Sequence, residues 1–155
     1  MEKKTKISAQ EGQQEILITR EFDLPLELLF KAYAEAEIVE QWMGTKVLKL
    51  ENKKSGSWQF ETKDQNGNII FSANGVIHDF VPEKRIVRTF EMDNVNFAPQ
   101  LEFLEFEKLT DDKSKLTIQT IYKSVEHRDF QLKLPFAQGL NMAHNRLEEI
   151  VKQLK

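Results

Sequence analysis

The chain has 155 residues and a net charge of −3, with 22 basic and 25 acidic residues mixed along it. This balance argues against nucleic acid as a partner, because phosphate binding favours a basic stripe. Cysteine is missing, which excludes disulfides and thiolate metal sites and favours a reducing compartment, and no apolar run approaches the ~18 residues of a membrane span. We therefore expect a cytoplasmic protein that does not insert into membranes.

The first elements along the chain are a tail and a strand. Residues 1–14 are polar and aperiodic, which predicts a flexible N-terminal tail before a single domain at residues 15–155. Apolar and polar residues then alternate from residue 15 to residue 23, as in a strand with one buried face. Arg20 stands on the apolar side of this strand, so we expect it to reach solvent or to meet a carboxylate.

Two short helices and a series of strands are predicted next. Pro25 suits the first turn of a helix, and Gly44 is placed to end the second helix. Alternation bounded by turn residues then predicts strands, most clearly at residues 56–63, 69–81 and 115–122. Gly75 indicates a bulge or a close approach of two backbones. A change of apolar parity at Phe103 predicts a second bulge.

The last element is a long amphipathic helix. Pro135 is predicted to begin it, and apolar residues at helical spacing continue to Leu154. An antiparallel sheet of six or seven strands needs cover for its apolar face, and this helix is the longest amphipathic element available. The sequence therefore predicts an α+β domain in which a curved antiparallel sheet wraps around the C-terminal helix, with a hollow between them.

Aromatic residues are the candidate lining of that hollow. The chain has 11 phenylalanines, and large rings facing a hollow must interdigitate or leave space. The predicted ligand-binding residues that carry apolar side chains are Trp42, Trp58, Phe60, Phe71, Phe90, Phe103, Phe136, Leu140 and Ala143. The alternative is that these side chains fill the core completely and leave no pocket.

Two polar residues complete the predicted binding site. Arg88 shares its strand face with apolar residues, so it needs a carboxylate or an anionic group of a ligand, unless it reaches solvent at the strand end. Tyr122 lies on an apolar face too and can offer its hydroxyl to a ligand or satisfy it in the core. The acidic residues Glu102, Glu105 and Glu107 are interpreted as a solvated outer face.

The histidines do not indicate a metal or catalytic site. His78, His127 and His144 lack the spacing of metal ligands, and no serine stands in a nucleophile motif. His144 and Glu148 are one helical turn apart, which is typical of an exposed surface pair. We therefore predict no catalytic residue, no metal and no cofactor.

Several segments together resemble a known superfamily. They stand in order along the chain and span nearly everything from residue 15 to residue 154: Arg20-Glu21-Phe22 before Pro25, Glu40 to Gly44, Gly56 to Phe60, Asp64 to Gly67, Gly75-Val76, Phe80 to Arg85, Gly139, and Asn145-Arg146-Leu147. This set resembles the START-like (SRPBCC) superfamily, in its branch of homologues of a heat-shock chaperone ATPase activator. The resemblance implies a helix-grip fold with an internal cavity, in which relatives bind lipids, polyketides, hormones or other apolar molecules.

The chain departs from the family pattern at two places. The family often has two tryptophans where this chain has Trp42-Met43, and Gly-Trp where it has Gly139-Leu140. Both changes would reshape the pocket.

Three functions are compatible with these observations. The first is non-enzymatic binding of a small apolar or amphipathic ligand in the cavity. The second is a protein-interaction module that acts on a chaperone ATPase, as the name of the branch suggests. The third is an enzyme of the cyclase or hydrolase kind, for which Arg88, Tyr122 and His78 are the visible polar candidates.

Overall fold

A computed structural model of the chain describes residues 4–93, 98–133 and 136–154. Within these ranges the elements are, in chain order, β1 (Lys6–Ser8), β2 (Glu15–Phe22), α1 (Leu26–Ala34), α2 (Ala36–Met43), β3 (Lys46–Leu50), β4 (Ser57–Lys63), β5 (Ile69–Val81), β6 (Arg85–Met92), β7 (Gln100–Thr110), β8 (Lys113–Ile121), α3 (Val125–Lys133) and α4 (Phe136–Lys152).

The described strands form one curved antiparallel sheet in the order β1-β2-β8-β7-β6-β5-β4-β3. The predicted α+β class, with two short helices after a long strand and a long helix at the end, is confirmed. The sheet has eight strands instead of six or seven, because β1 and β3 were not predicted. Both are short and mostly exposed, so neither carries a clear alternation of apolar and polar residues.

The predicted N-terminal tail needs a correction for the part that the structure describes. Strand β1 pairs with β2, with Ile7 opposite Ile18. The preceding Thr5 is buried, and its backbone N–H donates to Asn141 Oδ1 at 3.0 Å. Backbone pairing with β2 and hydrogen bonds to α4 hold this segment in place. Neither interaction requires alternating apolar residues, so the sequence of the segment shows no periodic pattern.

The helices begin and end largely where their local sequence requires. The Pro25 carbonyl accepts the first backbone bonds of α1, and Gly44 ends α2 with a φ of 64°, a conformation that glycine adopts without strain. The predicted start of α4 at Pro135 lies outside the described residues. Helix α4 packs mainly against α2, and Arg146 Nε donates to the Trp42 carbonyl at 2.9 Å. No described helix is both long enough and apolar enough to cross a membrane.

The two bulge predictions had different outcomes. The close backbone approach at Gly75 is confirmed, because a Cβ atom there would lie 1.9 Å from the Thr89 carbonyl oxygen. The bulge at Phe103 is wrong: this residue pairs regularly with Val87 on one side and Gln119 on the other. The apparent change of parity arises because β7 carries apolar residues on both faces, with Leu104 buried inside and Phe103 half-buried outside.

Two groups of buried residues form the core. The larger group joins β2, β7 and β8 to α1 and to the buried residues Leu147 and Val151 of α4. The smaller group surrounds Trp58 and Phe60 of β4 and includes Val39 of α2. Helices α2 and α4 therefore cover one face of the sheet, and this arrangement leaves a space between the two groups.

Candidate functional site

A cavity of about 280 Å³ lies between α2, α4 and the covered face of the sheet. Most of the residues around it are apolar, and the lining residues come from α1, α2 and α4 and from five strands or strand ends. Seven of the predicted binding residues line it: Trp42, Phe60, Arg88, Phe90, Tyr122, Leu140 and Ala143. Arg146 also lines the cavity and is exposed, which places an opening to the surface beside α4. Whether these residues bind a ligand stays a prediction.

The two departures from the family pattern both fall on this cavity. Met43 and Leu140 stand where the family often has tryptophan, and both side chains contribute to the lining. Methionine and leucine are smaller than tryptophan, so these two positions leave more space here than the larger rings would.

Trp58 does not line the cavity, because it lies behind the lining residues. Its ring packs against Phe60 and Phe90 with centroid distances of 4.8 Å and 5.5 Å. Its indole Nε1 donates to the Thr89 carbonyl at 3.1 Å. Trp58 is thus a fully buried support for two lining rings rather than a lining residue, and its contact with a ligand stays a prediction.

Three further predicted residues are also placed elsewhere or not described. Phe71 is part-buried and packs on the edge of the smaller core group. Phe103 lies on the opposite face of the sheet, because its neighbour Leu104 takes the buried position. Neither residue is among those that line this cavity, and contact of either with a ligand stays a prediction. The side chain of Phe136 lies outside what the structure describes.

A salt bridge forms the polar end of the cavity. Arg88 Nε donates to Glu102 Oε1 at 3.0 Å, and both side chains are only 13% exposed. The Arg88 guanidinium also lies 5.1 Å from the centre of the Trp58 ring, a cation–π distance. Arg88 is therefore mostly buried, and its carboxylate partner is present. Glu102 does not belong to the solvated outer face, unlike Glu105 and Glu107, which are exposed.

Gln100 extends this polar cluster. Its amide nitrogen donates to Glu102 Oε2 at 3.0 Å, and its Oε1 is buried without a hydrogen-bond partner among the described residues. A carboxylate only accepts, so the bond to Glu102 fixes which end of the amide carries the oxygen. Sequence reasoning missed Gln100, although it shares strand parity with Glu102, Leu104 and Phe106. The mistaken bulge at Phe103 hid that signal.

The strand register brings these groups together. Arg88 is directly opposite Glu102 in the β6–β7 pair, and Glu102 is directly opposite Thr120 in the β7–β8 pair. Side chains at directly opposed positions of a sheet share a face and lie within contact distance. The charged pair thus stands on a rigid ladder, flanked by Thr120, which also lines the cavity.

Two tyrosine hydroxyls lie near the salt bridge. Burial raises the pKa of Tyr33 and of Tyr122 above the ordinary value, and the Glu102 carboxylate raises both further, while Arg88 acts in the opposite direction on Tyr33. Both tyrosines are therefore neutral near neutral pH. Tyr33 was not among the predicted binding residues, but it lines the cavity and its hydroxyl lies 3.5 Å from His144 Nε2.

A second polar cluster is buried behind Tyr33. His144 is completely buried, and its Nδ1 lies 2.8 Å from Thr5 Oγ1. Glu148 accepts the Asp23 backbone N–H at 2.7 Å and lies 3.6 Å from Arg20 Nη2. The predicted surface pair of His144 and Glu148 is thus wrong, because each residue is buried with partners from other elements. The sequence predicted that Arg20 would either reach solvent or meet a carboxylate, and the structure shows that it meets the carboxylate of Glu148.

The buried His144 predicts a loss of stability in mild acid. Burial, with a smaller contribution from Arg20, lowers the pKa of His144 from 6.5 to about 3. Because the unfolded chain takes up this proton first, the contribution is complete above pH 6.5 and is lost as the pH falls towards 3. We expect wild-type protein to lose about 2 kcal/mol more unfolding free energy between pH 7 and pH 5 than His144→Asn. Urea denaturation at both pH values measures this difference.

The exposed His78 provides the matched control for this prediction. His78→Asn removes an exposed imidazole and should keep the wild-type dependence of stability on pH. Equal pH dependence in wild type and His144→Asn would show that His144 is not held neutral by the fold.

The polar candidates for catalysis are not assembled in one place. Arg88 and Tyr122 line the cavity, but His78 is exposed on β5 and is not part of the lining. Among the residues that the structure describes, no three histidine, aspartate or glutamate side chains come together as a metal site would require.

Solved structures with the same fold support the architecture. A protein from Rhodobacter sphaeroides is 17% identical, with a TM-score of 0.85 over 96% of this chain and 99% of that protein. The protein Ms6760 from Mycobacterium smegmatis is 16% identical, with a TM-score of 0.82 over 94% of this chain and 95% of that protein. A Staphylococcus epidermidis protein is 20% identical, with a TM-score of 0.79 over 96% and 94%. At these identities the likeness shows the fold alone.

Sequence comparison gives the family. No curated protein matches the chain in sequence. Residues 23–152 match the family described as "Activator of Hsp90 ATPase homolog 1-like protein", which is part of the START-like superfamily that the sequence motifs resemble. The match runs from the end of β2 through α4 and includes all of the cavity lining except Ile18. The chain therefore belongs to the family of activator of Hsp90 ATPase homolog 1-like proteins.

Proposed function

We propose that the protein binds a small, mainly apolar molecule in the cavity between the sheet and α4, without transforming it. The observation that carries this proposal is the lining itself: aromatic and aliphatic side chains surround the space, and the polar groups cluster at one end. Binding sites for small molecules have this composition, with few polar groups that orient the ligand. The volume of about 280 Å³ lies near the lower end for such sites, so a small ligand fits best.

The position of the cavity supports binding over a purely structural space. Trp42 and Phe60 face it from α2 and β4, while Ala143 presents a small side chain from the middle of α4. Large apolar side chains normally fill a protein core completely, so a small residue on a helix that otherwise carries large ones leaves an empty space beside it. The exposed Arg146 at the rim provides a route for entry. The cysteine-free sequence favours a cytoplasmic site of action.

The alternative of acting on a chaperone ATPase comes from the family description. Family membership supports a ligand-binding or chaperone-associated module in general. It does not decide between the two, because proteins with one fold can have different functions. The cavity favours the first of these two. The enzymatic alternative has less support, because His78 is not part of the lining and the three polar candidates do not form a set of nucleophile, base and orienting group.

Native mass spectrometry of freshly purified protein tests the proposal directly. A reproducible extra mass, released when the same sample is denatured, is the expected result. If the protein is found at its bare mass, naphthalene serves as a neutral apolar probe, with tryptophan fluorescence as the signal because Trp42 lines the cavity.

Filling the cavity should abolish this binding. In Ala143→Phe a ring occupies the space, and we expect the affinity for naphthalene to fall at least about tenfold, or 1.4 kcal/mol. The matched control is Ala137→Phe, the same substitution at an exposed position of α4. If Ala143→Phe binds as tightly as Ala137→Phe while both remain folded by circular dichroism, the molecule does not bind in this cavity.

A further inference from the structure

Gln100 lines the cavity and carries a buried hydrogen-bond acceptor that is unsatisfied among the described residues. Its side chain lies among the lining residues, the residue is only 9% exposed, and its Oε1 lacks a partner among the described residues. Buried polar atoms in folded proteins are almost always paired, and each exception calls for a physical reason. A group that arrives with a ligand would supply the missing donor.

The neighbouring charges restrict what that ligand can be. Each oxygen of Glu102 accepts a hydrogen bond from a cavity residue, one from Arg88 Nε and the other from Gln100 Nε2, both at 3.0 Å. The positive charge of Arg88 is thus already balanced by a carboxylate. A ligand carboxylate would bring a second negative charge beside Glu102 in nearly buried surroundings, which is unfavourable. A neutral group avoids this cost.

A hydroxyl group satisfies both conditions. It can donate to Gln100 Oε1, and its own oxygen can accept from a hydroxyl of the cavity wall, where Thr120 and Tyr122 lie. A ligand without a donor would leave the Gln100 oxygen buried and unpaired. A site built around a polar group discriminates strongly against an analogue that cannot pair with it.

We propose that Gln100, held in place by Glu102, is the specificity-determining residue of this site and selects a neutral, hydroxyl-bearing apolar molecule over carboxylic acids and over ethers of the same shape. This inference rests on the proposed function, because it names the ligand class of the same cavity. It assigns a role to the lining residue that has a fully buried polar atom without a hydrogen-bond partner among the described residues.

A set of naphthalene derivatives of nearly equal shape tests the inference. Dissociation constants are measured by tryptophan fluorescence for naphthalene, 2-naphthol, 2-methoxynaphthalene and 2-naphthoate. In wild-type protein we expect 2-naphthol to bind about tenfold more tightly than 2-methoxynaphthalene, as one additional hydrogen bond implies, and more tightly than 2-naphthoate. In Gln100→Met, which keeps the length of the side chain without its polar atoms, the tenfold preference should disappear.

Gln119 offers a closely matched control. It lies on the outer face of β8, where its amide nitrogen donates to Glu15 Oε2 at 2.9 Å, so Gln119→Met also removes a bond between glutamine and glutamate. This variant should keep the wild-type preference for 2-naphthol. If Gln100→Met does not fold, NMR of wild-type protein tests the same point. The resonances of the Gln100 side-chain amide should change their chemical shift when 2-naphthol is added and keep it when 2-methoxynaphthalene is added.

The outcomes separate this inference from the proposed function. If all four compounds bind equally and Ala143→Phe weakens each of them, the binding cavity stands and the role of Gln100 is wrong. A preference for 2-naphthol that survives in Gln100→Met has the same meaning. Tightest binding of 2-naphthoate would assign the site to anions held by Arg88. Binding of none of the four would contradict the proposed function and this inference together.

Discussion

Replacing Glu148 with alanine is expected to lower the free energy of unfolding by about 3–5 kcal/mol, because it leaves a buried guanidinium without its carboxylate. The Arg20 side chain is fully buried, and its Nη2 lies 3.6 Å from Glu148 Oε2. Burial lowers the pKa of Arg20, and Glu148 is the first of the groups that oppose this shift. Chemical denaturation at neutral pH measures the loss.

Glu148 also accepts a backbone bond, which adds to the expected effect. The Asp23 N–H donates to Glu148 Oε1 at 2.7 Å, immediately before the turn that leads into α1. The matched control is Glu149→Ala, which removes the next side chain of the same helix at an exposed position. A loss no larger than that of Glu149→Ala would contradict the prediction.

A double variant separates the charge from the packing. Replacing Arg20 with methionine and Glu148 with leucine removes both charges and keeps much of the buried volume. A buried ion pair is often replaceable by apolar residues at little cost, although removal of one partner is expensive. We therefore expect the double variant to be more stable than Glu148→Ala. The opposite order would mean that the hydrogen bonds of this cluster contribute more than the charge.

Gly75→Ala is expected to destabilise the protein by about 3 kcal/mol or more, because there is no space for a side chain at this position. A Cβ atom would lie 1.9 Å from the Thr89 carbonyl oxygen and 2.6 Å from Trp58 Nε1. The oxygen belongs to the backbone of a paired strand and accepts a bond from that same Trp58 nitrogen, so neither atom can move independently. Thermal or urea denaturation checks the effect.

Another glycine provides the control for Gly75→Ala. Gly139 lies in the first part of α4, and a Cβ atom built there would meet nothing within 4 Å. Gly139→Ala should therefore be neutral or stabilise the protein by about 0.5–1 kcal/mol, through helix propensity. Equal stability of the two alanine variants would show that the sheet around Gly75 relaxes to accept a methyl group.

The elements that local sequence controls were predicted well. Strand β5 has the bounds 69–81 that were expected, because an Asn-Gly turn precedes it and a proline turn follows it. Gly44 and Gly75 were interpreted correctly, since each reports a backbone geometry that depends on near neighbours. Strands β1 and β3 escaped notice because pairing with a neighbouring strand, rather than their own composition, makes them strands.

The candidate site was only partly visible, for a different reason. Apolar lining such as Phe60 and Ala143 follows from strand and helix periodicity, which one sequence contains. The partner of Arg88 depends on the register between β6 and β7, and a single mistaken bulge placed Glu102 on the wrong face. The burial of His144 depends on residues near the start of the chain, which the sequence presents only as a polar tail. A polar site whose residues come from distant segments of the chain produces no periodic pattern in the sequence.

The strand order has a consequence for how the chain acquires its structure. Strand β2 comes early in the sequence but pairs with β8, so that Ile18 meets Ile118, and both lie in the larger core group. Closing such a distant pair costs loop entropy before any contact repays it. During synthesis, β2 and its apolar face must wait until β8 has left the ribosome, so the nascent chain exposes an unpaired edge for most of its translation.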